Sequence, residues 1–316
     1  MNAPLVFTGP AGNGPADPTV VTIGVFDGVH RGHRTLIAAA RAEADAVGLP
    51  LTVVTFDPHP VSVVRPDAAP CRLADLDHRI RLLGDAGADR VRVVTFDQEL
   101  SSLSPQEFAR DFLVADLTAR VVVTGENFRF GHRASGDVGV LAEVGETAGF
   151  RVVGVPLAAD ESAVWSSTRV RELLRAGDVA GAEVGLTRPH RVRGTVVRGD
   201  QRGRELGYPT ANVQPEPHIC VPADGVYAGW AVLEPDTDDE RRVAAAVSVG
   251  ANMTFGGTEP RVEAYLMEQG EWDLYGQALA VDFVARIRGM VAFPTVADLT
   301  DAMSGDVLAA RRILAR

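Results

Sequence analysis

The chain has 316 residues, enough for two ordinary compact domains with separate cores, and its composition, 46% hydrophobic and 23% charged, is that of a globular protein. No apolar run approaches the roughly 20 residues of a membrane helix, and a formal net charge of −11 leaves no basic footprint for DNA or RNA. All 31 cationic residues are arginine, which excludes chemistry built on a P-loop lysine, a protein-kinase strand lysine or a Schiff base.

Any phosphate handled by this chain must therefore meet histidine, arginine, backbone amides or a metal. Residues 1–18 are small, polar and rich in Pro and Gly, without the cationic start and apolar stretch of a secretory signal, and read as a flexible N-terminal arm. From Val20 to about Gly185, short β-branched runs alternate with helical stretches, the pattern of a parallel sheet covered by helices. Strands are expected over Val20 to Val25, Leu51 to Phe56, Val91 to Phe96, Val121 to Thr124 and Arg151 to Val155. Between them Leu36, Ile37, Ala40, Ala44 and Val47 keep helical spacing up to a Gly48-Leu49-Pro50 stop, and Ser104-Pro105-Gln106-Glu107 is a capping box. From about Arg191 strands follow one another without helices: Arg191 to Arg198, Gly225 to Leu233, Val243 to Val249, Arg261 to Met267 and Ala278 to Arg288. These predict a small antiparallel barrel, with Glu234 to Arg242 as a solvated hairpin tip and a helix over Val296 to Leu314 packed on the barrel. Cys71 and Cys220 fall in different expected domains and read as two reduced thiols, consistent with a reducing, cytoplasmic setting.

The first chemical block, Gly24-Val25-Phe26-Asp27-Gly28-Val29-His30-Arg31-Gly32-His33, lies where the first expected strand turns into the first helix. That is the ligand edge of an open parallel sheet, where exposed amides and the positive helix end attract phosphate. Two histidines flanking a glycine there point at one pocket. Further blocks are Thr55-Phe56-Asp57-Pro58-His59-Pro60, Gly125-Glu126-Asn127-Phe128-Arg129-Phe130-Gly131 and Ser166-Ser167-Thr168-Arg169-Val170-Arg171. Each has a plain structural alternative: His59 rigidifies a loop, Phe128 and Phe130 fill a core, and a serine caps a helix. In the second half, the string Gly194 to Asn212 carries glycines suited to a backbone flap over phosphate, and the Thr210 hydroxyl and Asn212 amide oxygen are hard metal ligands. Val262-Glu263-Ala264 sets one acid in an apolar strand, expected on its inward face, where it would be costly without a function or partner.

These blocks, in this order, resemble the bacterial bifunctional riboflavin kinase/FAD synthetase family, over roughly Thr22 to the C-terminus. The resemblance implies an α/β nucleotidylyltransferase (Rossmann-like) domain at 19–186, followed at 187–316 by a small antiparallel β-barrel riboflavin kinase domain with a C-terminal helix. The implied activities are phosphorylation of riboflavin to FMN and adenylylation of FMN to FAD, with ATP as co-substrate and Mg2+ as cofactor. In the first, Glu263 is the implied base for the ribityl hydroxyl, Thr210 and Asn212 hold the metal, and Gly199, Gly207 and Pro209 contact ATP. In the second, His30, His33 and Arg171 are the implied catalytic groups, with Gly24, Phe26, Asp27, Gly32, Asn127, Ser167 and Thr168 on ATP or its phosphates. Phe128 and Arg288 are the implied flavin contacts. Riboflavin, FMN, FAD and ATP are the implied partners, with neither nucleic acid nor membrane, and a homo-oligomer is left open.

The chain departs from the family pattern at Asn252-Met253-Thr254-Phe255, where proline usually follows the asparagine. It departs again at Met290, where a glutamate is common, and around Gly185 to His190. A single-activity FAD synthetase with a weakened kinase domain and a non-catalytic flavin sensor are the competing readings. Retention of His30, His33, Thr210, Asn212 and Glu263 argues against the sensor.

Overall fold

The computed structural model describes residues 3–10, 12, 14–158, 164–199, 203, 206–251, 260–268 and 272–315. The Asn252–Phe255 departure and much of the expected flap, including Asp200, Arg202 and Glu205, lie outside the described residues. The chain forms two compact units, Met1–Pro70 with Leu76–Ser166 and Cys71–Asp75 with Ser167–Arg316.

The first unit is a six-stranded parallel sheet of order β1-β4-β3-β2-β5-β6. Its strands are β1 (Leu5–Gly9), β2 (Thr19–Ile23), β3 (Leu51–Asp57), β4 (Arg90–Thr95), β5 (Ala119–Gly125) and β6 (Arg151–Val155). The helices are α1 (Arg31–Val47), α2 (Pro60–Val64), α3 (Leu76–Asp85), α4 (Gln98–Ser102), α5 (Pro105–Glu107) and α6 (Val138–Ala148). After α5 the Phe108–Asp116 stretch continues as π-helix. The near-continuous apolar runs of β2 and β3 are buried throughout or nearly so, as expected of strands covered on both faces. Helix α1 ends where Gly48 takes a left-handed conformation at φ 66°, and the Ser104–Glu107 capping box forms as expected. From β2 the chain steps to β3 and β4 on one side, then crosses to β5 and β6 on the other, so the strand order reverses between β2 and β5. A crevice at such a reversal is where open α/β sheets take ligands.

Part of the segment expected as a loose arm is an edge strand: β1 pairs with β4 from Leu5↔Arg90 to Gly9↔Val94. Beyond it Arg92, fully buried, donates to the carbonyls of Gly9 and Pro10 and pairs with Asp116, whose Oδ1 accepts from the Gly12 and Gly14 amides at 2.7 and 2.6 Å. Composition alone concealed this, because the partners that fix the segment lie about 80 to 105 residues further along the chain, at separations of 83 and 104.

The second unit begins with α7 (Ser167–Ala176) and α8 (Val179–Leu186). A closed antiparallel barrel of order β10-β11-β8-β7-β12-β9 follows. It comprises β7 (His190–Val197), β8 (Ala211–Pro215), β9 (Gly225–Leu233), β10 (Arg241–Ala251), β11 (Pro260–Leu266) and β12 (Ala278–Arg288), and α9 (Val296–Leu314) ends the chain. The sequence shows five of the six strands; β8 is a short stretch after the Tyr208-Pro209 turn and carries little apolar signal. Val170, Leu174, Val179 and Leu186 of α7 and α8 share one core with the barrel's Tyr227 and Phe283.

Two expectations are corrected here. The Glu234–Arg242 loop is not simply a solvated tip, because Asp236 and Glu240 reach back to Arg191, which also pairs with Asp282 at 2.7 Å. Burial opposes the charge on Arg191, but the hydrogen bonds it donates to Asp282 and Glu240 outweigh it and raise its pKa. The second correction concerns the cysteines, which are not reduced thiols: Cys71 and Cys220 are joined in a disulfide with Cα atoms 5.0 Å apart. Position along the chain misplaced Cys71. The Cys71–Asp75 segment belongs to the second unit, where the Arg72 amide donates to His218 O at 2.7 Å and the Cys220 amide to Arg72 O at 2.8 Å, bringing the two sulfurs together.

The bond spans 149 residues of sequence, and a constraint on so long a loop acts mainly on the unfolded chain. Cys71→Ser should lower the unfolding free energy by about 3 kcal/mol or more in denaturant titrations without reductant. The native protein should yield no alkylated cysteine by mass spectrometry until it is reduced.

Candidate functional site

In the first unit, the Gly24–His30 turn leaves the end of β2 and leads into α1, with His30 as the helix N-cap. Phe26 is fully buried and Asp27 nearly so, and the turn is held by the Val29 amide donating to Phe26 O at 3.1 Å. Phe26 and Val29 adopt φ 51° and 41°, left-handed values that bulky side chains rarely take. Backbone strain of this kind concentrates at ligand-binding turns. The His30 and His33 rings stack with centroids 3.6 Å apart, and Phe26 meets the edge of His33. Gly32 leaves room for this packing: a Cβ there would sit 3.1 Å from the His30 ring and 3.2 Å from Trp165 O. His33 Nδ1 is shielded from solvent and has no hydrogen-bond partner among the described residues. Burial, and then the neighbouring charge of His30, hold the His33 pKa well below 6.5. A second imidazolium beside the first is disfavoured unless an anion arrives to compensate.

Asn127 lies in the turn after β5, the strand next to β2 across the reversal, with the Phe128 amide donating to Gly125 O at 2.9 Å. Asn127 is exposed, so the histidine turn and this amide both stand at the carboxyl ends of adjacent strands. Phe130 is a core residue beside Phe108, as its structural alternative proposed, and half-buried Phe128 stacks on it at 5.5 Å. His59 accepts from the Val61 amide at 3.1 Å and so caps α2. Ser167 and Thr168 open α7 in the second unit, where Arg171 is buried and donates through Nε to Cys71 O at 2.7 Å.

The second unit brings its expected residues together through strand register. Glu263 of β11 pairs with Asn212 of β8 on one side and Ser248 of β10 on the other. Along β11, Val262, Ala264 and Leu266 face the barrel core while Glu263 and Tyr265 alternate outward from it, which corrects the inward placement expected for Glu263. The acid therefore avoids the apolar interior and lies 3.4 Å from the Thr210 hydroxyl. Gly199 gives Asn212 its room, since a Cβ at Gly199 would sit 2.5 Å from the carboxamide. Gly207 lies in a turn closed by the Tyr208 amide donating to Gly203 O at 2.8 Å, and exposed Pro209 follows it.

Two cavities flank this point. One, about 390 Å³, is lined by Arg198, Gly199, Asn212, Pro217, His218 and Arg261 and carries polar and cationic groups. The other, about 260 Å³, contains Thr210 and Glu263 among apolar side chains that include Val226, Val247, Val291, Leu299 and Met303. Met290 and Arg288 line the second cavity as well. Arg198, Ser248, Arg261 and Asp306 were missed by sequence reasoning. Ser248 could have been noticed as the one hydroxyl in the Val243 to Val249 run.

The model of the FAD synthetase family matches residues 14–169, and that of the riboflavin kinase family matches residues 186–314. Together they cover most of the chain. The chain belongs to the bifunctional riboflavin kinase/FMN adenylyltransferase family. It is 35% identical over 297 residues to the protein of that description from Escherichia coli K12, covering 94% of this chain and 93% of the relative. Identity is 37% with the Pseudomonas fluorescens relative over the same shares, and 32% with that of Bacillus subtilis over 91% and 90% of the two chains. Among solved structures, a protein from Streptococcus pneumoniae described as a macrolide-efflux protein superposes with TM-score 0.88 at 31% identity, covering 97% of this chain and 99% of that one. Among the described residues no helix is long and apolar enough to cross a membrane.

Because the folded pKa of His33 lies below its unfolded value, its neutral form contributes stability that is present above about pH 6.5 and lost as pH falls toward the folded pKa. The melting temperature of the ligand-free protein should therefore drop on acidification below about pH 6.5, and His33→Gln should reduce that drop. An identical pH profile in the variant would contradict the lowered pKa.

Proposed function

We propose that the protein phosphorylates riboflavin to FMN in its barrel unit and adenylylates FMN to FAD at the histidine turn, with ATP as co-substrate of both steps. The observation that carries the kinase reading is the Asn212–Glu263–Ser248 register, which sets an acid and two hard oxygen donors between a polar cavity and an apolar one. The apolar cavity suits the flat flavin ring, and the cationic one suits the phosphates of ATP. The family match over both halves agrees with this division.

In phosphorylation, the ribityl 5′-hydroxyl attacks the γ-phosphorus and must lose its proton. Glu263 accepts it, and a carboxylate positioned for such a transfer contributes about 100-fold or more. The Thr210 hydroxyl and Asn212 carboxamide are neutral oxygen donors suited to Mg2+, and the Gly199 cradle holds the carboxamide in place. A metal held there by Thr210 and Asn212 would neutralise phosphate charge. Gly199, Gly207 and Pro209 contribute backbone to the phosphate flap.

Adenylylation needs no base, since an FMN phosphate oxygen is already ionised when it attacks the α-phosphorus. Positioning and charge compensation carry this step. His30 and His33 meet the ATP phosphates at the amino end of α1, where Gly24, Phe26, Asp27 and Gly32 shape the turn. A histidine kept neutral in the free protein gains its proton as polyphosphate approaches, so the positive charge develops where it is used. Asn127 holds ATP or its metal, and Phe128 offers its face to the flavin. The proposed functional boundary between the activities lies at residues 186 and 187, while Ser167 to Leu186 fold with the second unit.

Replacing either histidine with alanine should lower FAD formation from supplied FMN by about 100-fold or more, with riboflavin phosphorylation largely intact. Glu263→Gln should do the converse, lowering kinase turnover by about 100-fold or more at unchanged adenylylation turnover. Both rates and the melting temperature are measured on one preparation of each variant. Near-normal kinase turnover in Glu263→Gln would reject the base assignment.

A further inference from the structure

The apolar cavity has one wall built outside the barrel. After β12 ends at Arg288, the chain runs through Gly289 to Thr295 and enters α9, and Met290, Val291 and Phe293 of this link line the cavity together with Leu299 and Met303 of the helix. Met290 and Val291 are 53% and 58% exposed, an apolar lip open to solvent at the edge of a cavity. Exposed apolar groups at a binding cavity gain by being covered when an apolar ligand fills it.

An ion pair closes this link. Arg288 donates through Nε to Asp306 Oδ1 at 2.9 Å and through Nη2 to Oδ2 at 2.7 Å, the paired geometry that guanidinium and carboxylate share. Arg288 Nη1 donates to Gly289 O at 3.1 Å, and the guanidinium lies over the Phe293 ring at 5.4 Å. Three of the five N–H donors of Arg288 are thus directed at the link and at α9. The backbone agrees, because the β12–β9 register shifts between Arg286 and Arg288, an irregularity that re-aims the strand end. Asp306 is buried, and a buried carboxylate with so complete a partner is costly to leave unpaired.

We propose that Asp306 is a positioning residue for riboflavin phosphorylation: its pairing with Arg288 sets the Met290–Phe293 lip and α9 as the wall of the flavin cavity. Arg288 then acts on the wall and not on the flavin itself. The pair fixes how well the apolar part of the substrate is held, while proton transfer and metal binding stay with Glu263, Thr210 and Asn212. This inference rests on the reading of the barrel unit as a riboflavin kinase.

The test uses the full chain, with riboflavin, ATP and Mg2+ varied separately. Wild-type protein making no FMN would overturn the kinase reading itself, so that failure is distinguishable from failure of the Asp306 role. Given wild-type activity, Asp306→Asn should raise the KM for riboflavin about tenfold while kcat falls less than about threefold, since uniform substrate binding is what the wall supplies. The KM for ATP and adenylylation turnover should stay at wild-type values. Arg288→Lys, which keeps charge but loses the paired geometry, should match Asp306→Asn, and the double variant should be no worse than either single one. Asp306→Glu keeps the charge and should recover a large part of riboflavin affinity, which also serves if the asparagine variant folds poorly. An unchanged riboflavin KM in Asp306→Asn would overturn the proposal. So would a large effect of Arg288→Lys with none from Asp306→Asn, which would mean direct contact between Arg288 and flavin. Parallel loss of riboflavin and ATP affinity with a lowered melting temperature would reduce the pair to general support of the fold.

Discussion

The strand register of β11 between β8 and β10 is the constraint on which the barrel unit's chemistry depends. Because side chains alternate along a strand, a slip of one residue would turn Glu263 into the apolar core and carry Val262 or Ala264 into the cavity. The cost of burying that acid among Val247, Val249 and Tyr227 makes the slip unfavourable, so the acid proposed as the base also helps to fix the pairing that positions it. The closed barrel leaves none of its six strands as a free edge, which holds the Ser248, Glu263 and Asn212 positions in one row.

A different economy governs the first unit. Its ligand edge is not assembled by lateral register between distant residues but by a local turn, in which Phe26, Asp27 and Val29 are buried and the two histidines stack at the start of α1. Absence of lysine gives this turn its importance. His33, held neutral when the site is free, avoids repulsion with His30, and backbone amides at a helix start carry no side-chain entropy to lose. A parallel sheet then places the Asn127 turn alongside by stepping one strand across the reversal.

Much of this was legible in the sequence because its signals are local. Apolar runs marked β2 to β6, turn residues separated the barrel strands, and the chemical blocks sit where strands end. What escaped notice depends on partners far along the chain. Strand β1 needs β4 and the Arg92–Asp116 pair, β8 needs neighbours on both sides, and the outward face of Glu263 follows from alternation with Val262 and Ala264 once the core is known. The Arg191 cluster hid for the same reason, since a run of acids looks solvated until its buried counter-ion is located. For Arg171 the sequence suggested a phosphate ligand, while the structure also gives its Nε a backbone partner in Cys71, a second duty that no motif displays.

The Cys71–Cys220 bond has a topological consequence. The chain leaves the second unit after Asp75, completes the first, and returns at Ser167, so the disulfide closes a ring of backbone that contains α3 to α8 but neither the histidine turn nor α1 and α2. A protease that nicks the polypeptide anywhere between the two cysteines would release nothing: the pieces stay one covalent molecule until a thiol reductant opens the ring. Separation of the two activities by limited digestion would consequently be a question of redox conditions as much as of the cleavage site, and a recombinant boundary drawn by linear position would strip the second unit of its Cys71–Asp75 segment.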